Sequence, residues 1–189
     1  PKILNPGFDK ILVDVPCTGS GTTRKNPEVW KKWLPSGGQS LHNLQVGLLR
    51  KAINLTKPGG RIVYSTCSLD PIENEAVIAE VLRDNTVEIL SPKDILKSIP
   101  FDEGFTEWPK LDDSGGEDND LKLEKSMLPP TEKFIIDSLK KCVRIWNDKI
   151  DGSGFFISIL EKRIDAMNPD ERKNSFLDNN IKPDPENFP

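Results

Sequence analysis

The first strong pattern along the chain is Lys10-Ile11-Leu12-Val13-Asp14-Val15, a short apolar run closed by the turn cluster Pro16-Cys17-Thr18-Gly19-Ser20-Gly21-Thr22. Such a run suits a parallel strand buried on both faces. Over residues 39–56 the period changes. Leu41, Leu44, Leu48, Leu49, Ala52 and Ile53 recur at helical spacing, with Gln45, Arg50 and Lys51 directed elsewhere. Pro58-Gly59-Gly60 stops that helix, and Arg61-Ile62-Val63-Tyr64-Ser65 reads as a second buried strand. Asp70 then suits an N-cap, Pro71 the first helical position, and Glu73 and Glu75 the first turn of another helix. Its apolar stripe is Val77, Ile78, Val81 and Leu82, and a third strand follows at 86–90. Strand, helix, strand, helix, strand is the signature of an α/β fold with a parallel sheet and crossover connections.

Beyond that point the pattern weakens. Residues 102–126 gather Asp112, Asp113, Glu117, Asp118 and Asp120 around Ser114-Gly115-Gly116, an acidic insertion expected to be solvated and a candidate for disorder. A helix at 131–140, a short strand around Cys142–Trp146 and a strong last strand at 154–160 follow. After Arg163 the chain turns polar, so the domain is placed at 1–162, and 163–189 is read as a tail or linker.

Composition narrows this picture. In 189 residues there is room for one domain with a real core but not for two full-sized ones. A net charge of −4 does not advertise nucleic-acid binding, so an RNA partner would have to be met by a local basic patch. Three cysteines without paired spacing argue against a disulfide scaffold and for a reducing, intracellular setting. With one His and no CxxC, no metal site is expected. No apolar run approaches the ~20 residues of a membrane span. The chain begins Pro1-Lys2-Ile3-Leu4, without an initiating Met or a signal peptide, and is expected to be a segment of a longer protein.

The chemistry lies at the strand ends, where open α/β sheets place their sites. Cys17 follows the first strand and Cys67 the second, with Asp14 three residues before Cys17. If those strands are neighbours, two thiols and a carboxylate face one cleft. Each cysteine alone is equally consistent with a small buried hydrophobe, and Cys142, without such a companion, is assigned that part. His42 sits one position off its helix stripe and is read as a solvated surface residue. Cys67 precedes an expected helix start, which favours a thiolate, while Asp70 and Glu73 oppose one. Gly19-Ser20-Gly21-Thr22 lacks the Lys of a phosphate-binding loop and is read as a tight turn. Arg24, Lys25, Lys31 and Lys32, interleaved with Trp30 and Trp33, suit phosphate contacts plus base stacking. The same spacing equally fits a helix with one Trp packed inward and lysines in solvent.

These residues resemble a known family. Asp14-Val15-Pro16-Cys17-Thr18-Gly19-Ser20-Gly21-Thr22 with Arg24-Lys25-Asn26 and Trp30-Lys31-Lys32-Trp33 resembles the proline-cysteine motif of the NOP/Sun RNA cytosine-5 methyltransferases. Lys57 to Ser68 resembles their threonine-cysteine-serine motif; Pro71 to Ile78, Arg144-Ile145-Trp146 and Gly154-Phe155-Phe156 continue the match. The subgroup it most resembles is the eukaryotic multisite tRNA methyltransferases. The resemblance implies the C-terminal half of a Rossmann-like class I sheet, with parallel strands and a final antiparallel one. It implies Cys67 as the covalent nucleophile on carbon 6 of cytosine, Cys17 in product release, and Asp14 at the base as proton donor. It also implies S-adenosylmethionine as methyl donor, bordered by Asp14 and Pro16, and Arg24, Lys25, Lys31 and Lys32 on the RNA. The main cofactor loop and the RNA-binding part would belong to a missing N-terminal half, so the segment alone is expected to be inactive. The partner implied is RNA, and tRNA by the subgroup, in the nucleus or nucleolus, with the cytoplasm left open. Two rivals stand beside this: a silent RNA-binding or scaffold segment of the same fold, and a thiol enzyme of another class, which lacks a paired His.

Overall fold

The first two apolar runs become β1 (Phe8–Asp14) and β2 (Thr56–Thr66), paired in parallel with Ile11 opposite Ile62 and Asp14 opposite Ser65. Between them run α1 (Glu28–Lys32) and α2 (Pro35–Leu55), the latter opening on a proline where the missing N–H costs no hydrogen bond. Thr56 already pairs with Phe8, so β2 begins before the expected start at Arg61. Pro58-Gly59-Gly60 bulges out between the Phe8–Thr56 and Lys10–Arg61 pairs, and Gly59, at φ +74°, makes the detour. The remaining elements are α3 (Glu75–Leu82), β3 (Val87–Ile89), β4 (Asp102–Glu103), α4 (Lys133–Leu139), β5 (Val143–Ile145) and β6 (Phe155–Lys162). This computed structural model describes residues 7–92, 96, 98–114, 116–118 and 120–164; most of the polar stretch 163–189 lies outside them.

Among the described residues the sheet has six strands, in the order β1-β2-β6-β5-β4. β6 is antiparallel to β2 on one edge; on its other edge it pairs with β5 through residues 155–157 and with β3 through residues 160–162. The expected antiparallel final strand is therefore present, and it lies between β2 and β3. The third strand of the alternating pattern points the same way as β2 without touching it.

The core forms where one sheet face meets the helices. Ile62 and Tyr64 of β2 and Phe156 and Leu160 of β6 are fully buried against Leu49 of α2, Val77 and Ile78 of α3, and Ile135 and Leu139 of α4. Burial of this apolar surface supplies the main folding drive. The expectation that the first strand is covered on both faces fails. Leu12 is 71% exposed, because α2 covers only the face carrying Ile11 and Val13.

The stripe of α2 is also rotated from its expected position. His42, Gln45, Val46, Leu49, Ala52 and Ile53 are buried, whereas Leu44 is half exposed. His42 is thus a core residue and not a solvated one. Its Nδ1 donates to Ile72 O at 2.8 Å, and burial holds the ring below the usual histidine range, hence neutral.

The acidic stretch is pinned to this body at several points. Trp108 is buried and its Nε1 donates to Met127 O at 2.9 Å, while Leu111 and Glu117 form an isolated bridge. Asp113 Oδ1 accepts the Ser36 N–H at 2.9 Å, and so caps the first turn of α2 from a distant part of the chain.

Candidate active site

Parallel pairing of β1 and β2 brings their carboxyl ends side by side, and the loops leaving those ends carry the two thiols. Cys17 Sγ and Cys67 Sγ stand 3.4 Å apart, both half-buried, within hydrogen-bond distance. Asp14 is exposed at the end of β1, and Ser65 Oγ donates to its Oδ1 at 3.2 Å. The structure therefore brings the two thiols together and leaves Asp14 exposed at the end of the strand that precedes Cys17.

What holds the loops together is Glu73, which the sequence suggested only as a first-turn acid. It is fully buried and accepts the Thr18 N–H at 2.9 Å and Gln45 Nε2 at 3.0 Å on Oε1, and the Thr18 and Ser68 hydroxyls on Oε2. Thr18 belongs to the Cys17 loop and Ser68 to the Cys67 loop. One carboxylate thus spans both, and Tyr64 Oη fixes its backbone by donating to Glu73 O at 2.6 Å. Gln45, expected to face away from the core, points inward and also donates to Pro16 O at 2.9 Å. Pro16 itself is exposed.

Gly21 joins the same loops through the backbone. Its N–H donates to Cys67 O at 2.8 Å, and its own carbonyl accepts Gly154 N–H and Asn147 Nδ2, each at 2.8 Å. A Cβ here would collide with Gly154 O and come within 2.8 Å of Cys67 O, so the second glycine of the Gly-Ser-Gly turn permits a close approach. The first, Gly19, supplies a left-handed φ of +71°.

Electrostatics sets the state of Cys17. Burial, then the Cys67 hydrogen bond and charge, then the Glu73 carboxylate push the Cys17 thiol up to about 12. Cys17 therefore holds its proton at neutral pH. The helix-terminus argument for Cys67 does not survive: Asp70 caps a turn at 71–74 by accepting Ile72 N–H at 2.9 Å, and α3 begins only at Glu75. Asp70 is itself pushed up to about 7, chiefly by burial. Glu75 forms a buried bidentate pair with Arg144, whose Nη1 also reaches Leu69 O at 2.9 Å and whose guanidinium lies 4.0 Å from the Phe105 ring centre. Arg144 stood within a recognised motif without a role; an arginine inside an otherwise apolar strand was the available signal. Cys142 is fully buried in the core and burial raises its thiol, in line with a structural part.

The basic residues lie apart from the sulfurs. Arg24, Lys25, Lys31 and Lys32 are exposed, with Arg24 against Asp151 and the two lysines against Glu28 in solvent-accessible pairs. The two tryptophans part ways, as the reading with one Trp packed inward and lysines in solvent expects. Trp33 turns inward and its Nε1 donates to Thr18 Oγ1 at 3.2 Å, while Trp30 is 75% exposed. Among the described residues no group of His, Cys, Asp or Glu could hold a metal, and no helix is long and apolar enough to cross a membrane.

A family model described as 16S rRNA methyltransferase RsmB/F matches residues 2–161. The multisite-specific tRNA:(cytosine-C(5))-methyltransferase of Saccharomyces cerevisiae is 40% identical over 164 residues, covering 84% of this chain and 24% of that protein. The tRNA (cytosine(34)-C(5))-methyltransferase of Drosophila melanogaster is 37% identical over 170 residues, covering 82% and 23%. The crystal structure of a methyltransferase homolog protein from Pyrococcus horikoshii superposes with a TM-score of 0.52 at 35% identity, covering 82% of this chain and 39% of that one. The chain spans about a quarter of the length of the curated relatives it matches.

Proposed function

This chain belongs to the 16S rRNA methyltransferase RsmB/F family, and on that premise we propose that it is the thiol-bearing part of an RNA cytosine-5 methyltransferase acting on tRNA. The observation that carries the proposal is the pair of sulfurs 3.4 Å apart at adjacent parallel strand ends. Carbon 5 of cytosine is a poor nucleophile, and a thiolate added at carbon 6 turns the ring into an enamine. In the family pattern the attacking sulfur is Cys67, and burial keeps the proton on its neighbour Cys17. Asp14, exposed at the end of β1, holds a proton at the ring nitrogen and stabilises the adduct. After carbon 5 is methylated, its remaining proton is removed, the ring double bond re-forms and the electron pair of the carbon–sulfur bond returns to Cys67. Cys17 serves this release. The target base must leave its stack to reach the sulfurs, which suits loops of a folded RNA.

S-adenosylmethionine, when bound, supplies an electrophilic methyl group, and the donor set fits a cationic sulfonium. Asp14 offers it an exposed carboxylate at the strand end, while Glu73 is fully buried and spent on the loops. Asp14 and Pro16 border the cofactor, and the exposed Arg24, Lys25, Lys31 and Lys32 meet the RNA backbone. The names of the yeast and fly relatives support tRNA as substrate.

The test uses the complete protein that carries this chain and RNA containing 5-fluorocytidine, from which the fluorine cannot leave as a proton does. Wild type should form a covalent complex that Cys67→Ala abolishes, and Cys17→Ala should accumulate adduct on unmodified RNA. No adduct in wild type with cofactor present would leave a silent RNA-binding segment, and normal turnover in Cys17→Ala would remove Cys17 from release.

A further inference from the structure

Beside the sulfurs, and not used by the reaction, lies a cavity of about 690 Å³. Three of the four tryptophans of the chain line it, Trp30, Trp33 and Trp108, together with Phe105 and three prolines. Its floor is continuous with the thiol loops. Ser20, three residues after Cys17, and Leu69, two after Cys67, both line it, and Ser20 Oγ accepts the Leu69 N–H at 2.8 Å. Its outer wall is α1, where Trp30 stands exposed between Val29 and Lys31, with Lys32 next along the chain and Arg24 and Lys25 on the turn before. The volume falls within the roughly 300–1,000 Å³ usual for small-molecule sites. Exposed indole beside lysine and arginine is the surface that single-stranded nucleic acid uses, because every base has a stacking face and a phosphate to neutralise.

We propose that this aromatic cavity takes a nucleobase of the substrate RNA adjacent to the target cytosine, stacked against Trp30, and so anchors the unstacked strand while the target reaches Cys67. The inference rests on the RNA methyltransferase reading above. It assigns to Trp30 a role in substrate positioning, and it predicts little dependence on which base is held, since the stacking partner is a ring face; Asp70, Glu107 and Asn147 elsewhere in the lining are the groups that could read a base edge. An apolar peptide would fill the cavity equally well by shape. The exposed basic residues that flank Trp30 outside the lining, Arg24, Lys25, Lys31 and Lys32, and the floor shared with the thiol loops favour the RNA.

The experiment compares wild type, Trp30→Ala and Trp30→Phe of the complete protein. The substrates are 5-fluorocytidine RNAs carrying an ordinary nucleotide or an abasic one at each position flanking the target. In wild type, one abasic position should weaken binding about tenfold, within the range expected for loss of one base–aromatic stack. Trp30→Ala should weaken binding of the intact RNA by a similar factor and add nothing on the abasic RNA, and Trp30→Phe should restore most of the loss. Equal weakening of intact and abasic RNAs by Trp30→Ala, or no effect on either, would overturn the proposal and leave the cavity to a protein segment. Absence of any adduct in wild type is a different failure: it refutes the methyltransferase reading, and the base-anchoring role falls with it.

Discussion

Glu73 is the joint of the site, and its removal can be worked through from its four contacts. In Glu73→Gln the side-chain oxygen can still accept Thr18 N–H and Gln45 Nε2, while the Thr18 and Ser68 hydroxyls turn from donor to acceptor to meet the new amide. Geometry survives and charge is lost. Hydrogen bonds to a charged group contribute ~1.5–3 kcal/mol against ~1 for neutral ones, and relief from burying an anion offsets part, so a net loss of about 1–3 kcal/mol follows. Glu73→Ala leaves the buried Thr18 N–H without an acceptor, at ~1–3 kcal/mol, and opens a cavity as well, for about 3–6 kcal/mol in all. Loss of the anion also lets the Cys17 thiol fall from about 12. Two measurements check this: urea unfolding of both variants, and site-resolved alkylation of Cys17 against pH by peptide mass spectrometry. Glutamine should cost less than alanine, and the Cys17 profile should move to lower pH in both. Equal destabilisation by the two substitutions, or an unmoved alkylation profile, would refute the account.

Three further outcomes follow from the geometry. Gly21→Ala should lose about 1–3 kcal/mol by overpacking and slow adduct formation, since the new methyl collides with backbone on both sides; melting and trapping rates check it. Arg144→Met should cost about 3–5 kcal/mol by leaving buried Glu75 unpaired, and Glu75→Gln added to it should recover part of that loss in a double-mutant cycle. Asp70 binds its proton more tightly folded than unfolded. Its contribution is therefore fully present below the ordinary aspartate value of 3.8 and is lost as pH rises through about 7. Asp70→Asn should flatten that decline in a melting series between pH 4 and 8.

The sequence carried the site further than the packing around it. β1, β2 and β6 were legible because unbroken aliphatic runs between turn residues leave few alternatives, and the order of elements made adjacent strand ends the natural place for Cys17 and Cys67. The face of α2 was misjudged because its buried stripe includes His42 and Gln45. Both are polar, and both serve as hydrogen-bond donors to loop carbonyls, at Ile72 and Pro16. Residue type alone points them to solvent; only the loops they anchor explain their burial. Glu73 and Arg144 were hidden for the same reason, since a buried carboxylate and a buried guanidinium are defined by partners up to 75 residues distant. The exposure of Leu12 was not legible either, because an aliphatic run does not report how many of its faces are covered.

That last feature bears on colloidal behaviour. Among the described residues β1 pairs with β2 alone, so its outer edge presents a ladder of amide and carbonyl groups, with Phe8 48% and Leu12 71% exposed on the same strand. A straight strand edge of this kind recruits further strands. Wherever that edge stays open, loss of material will be governed by how concentrated the solution is, and an added charge at Leu12 will do more for shelf life than any repair of the core.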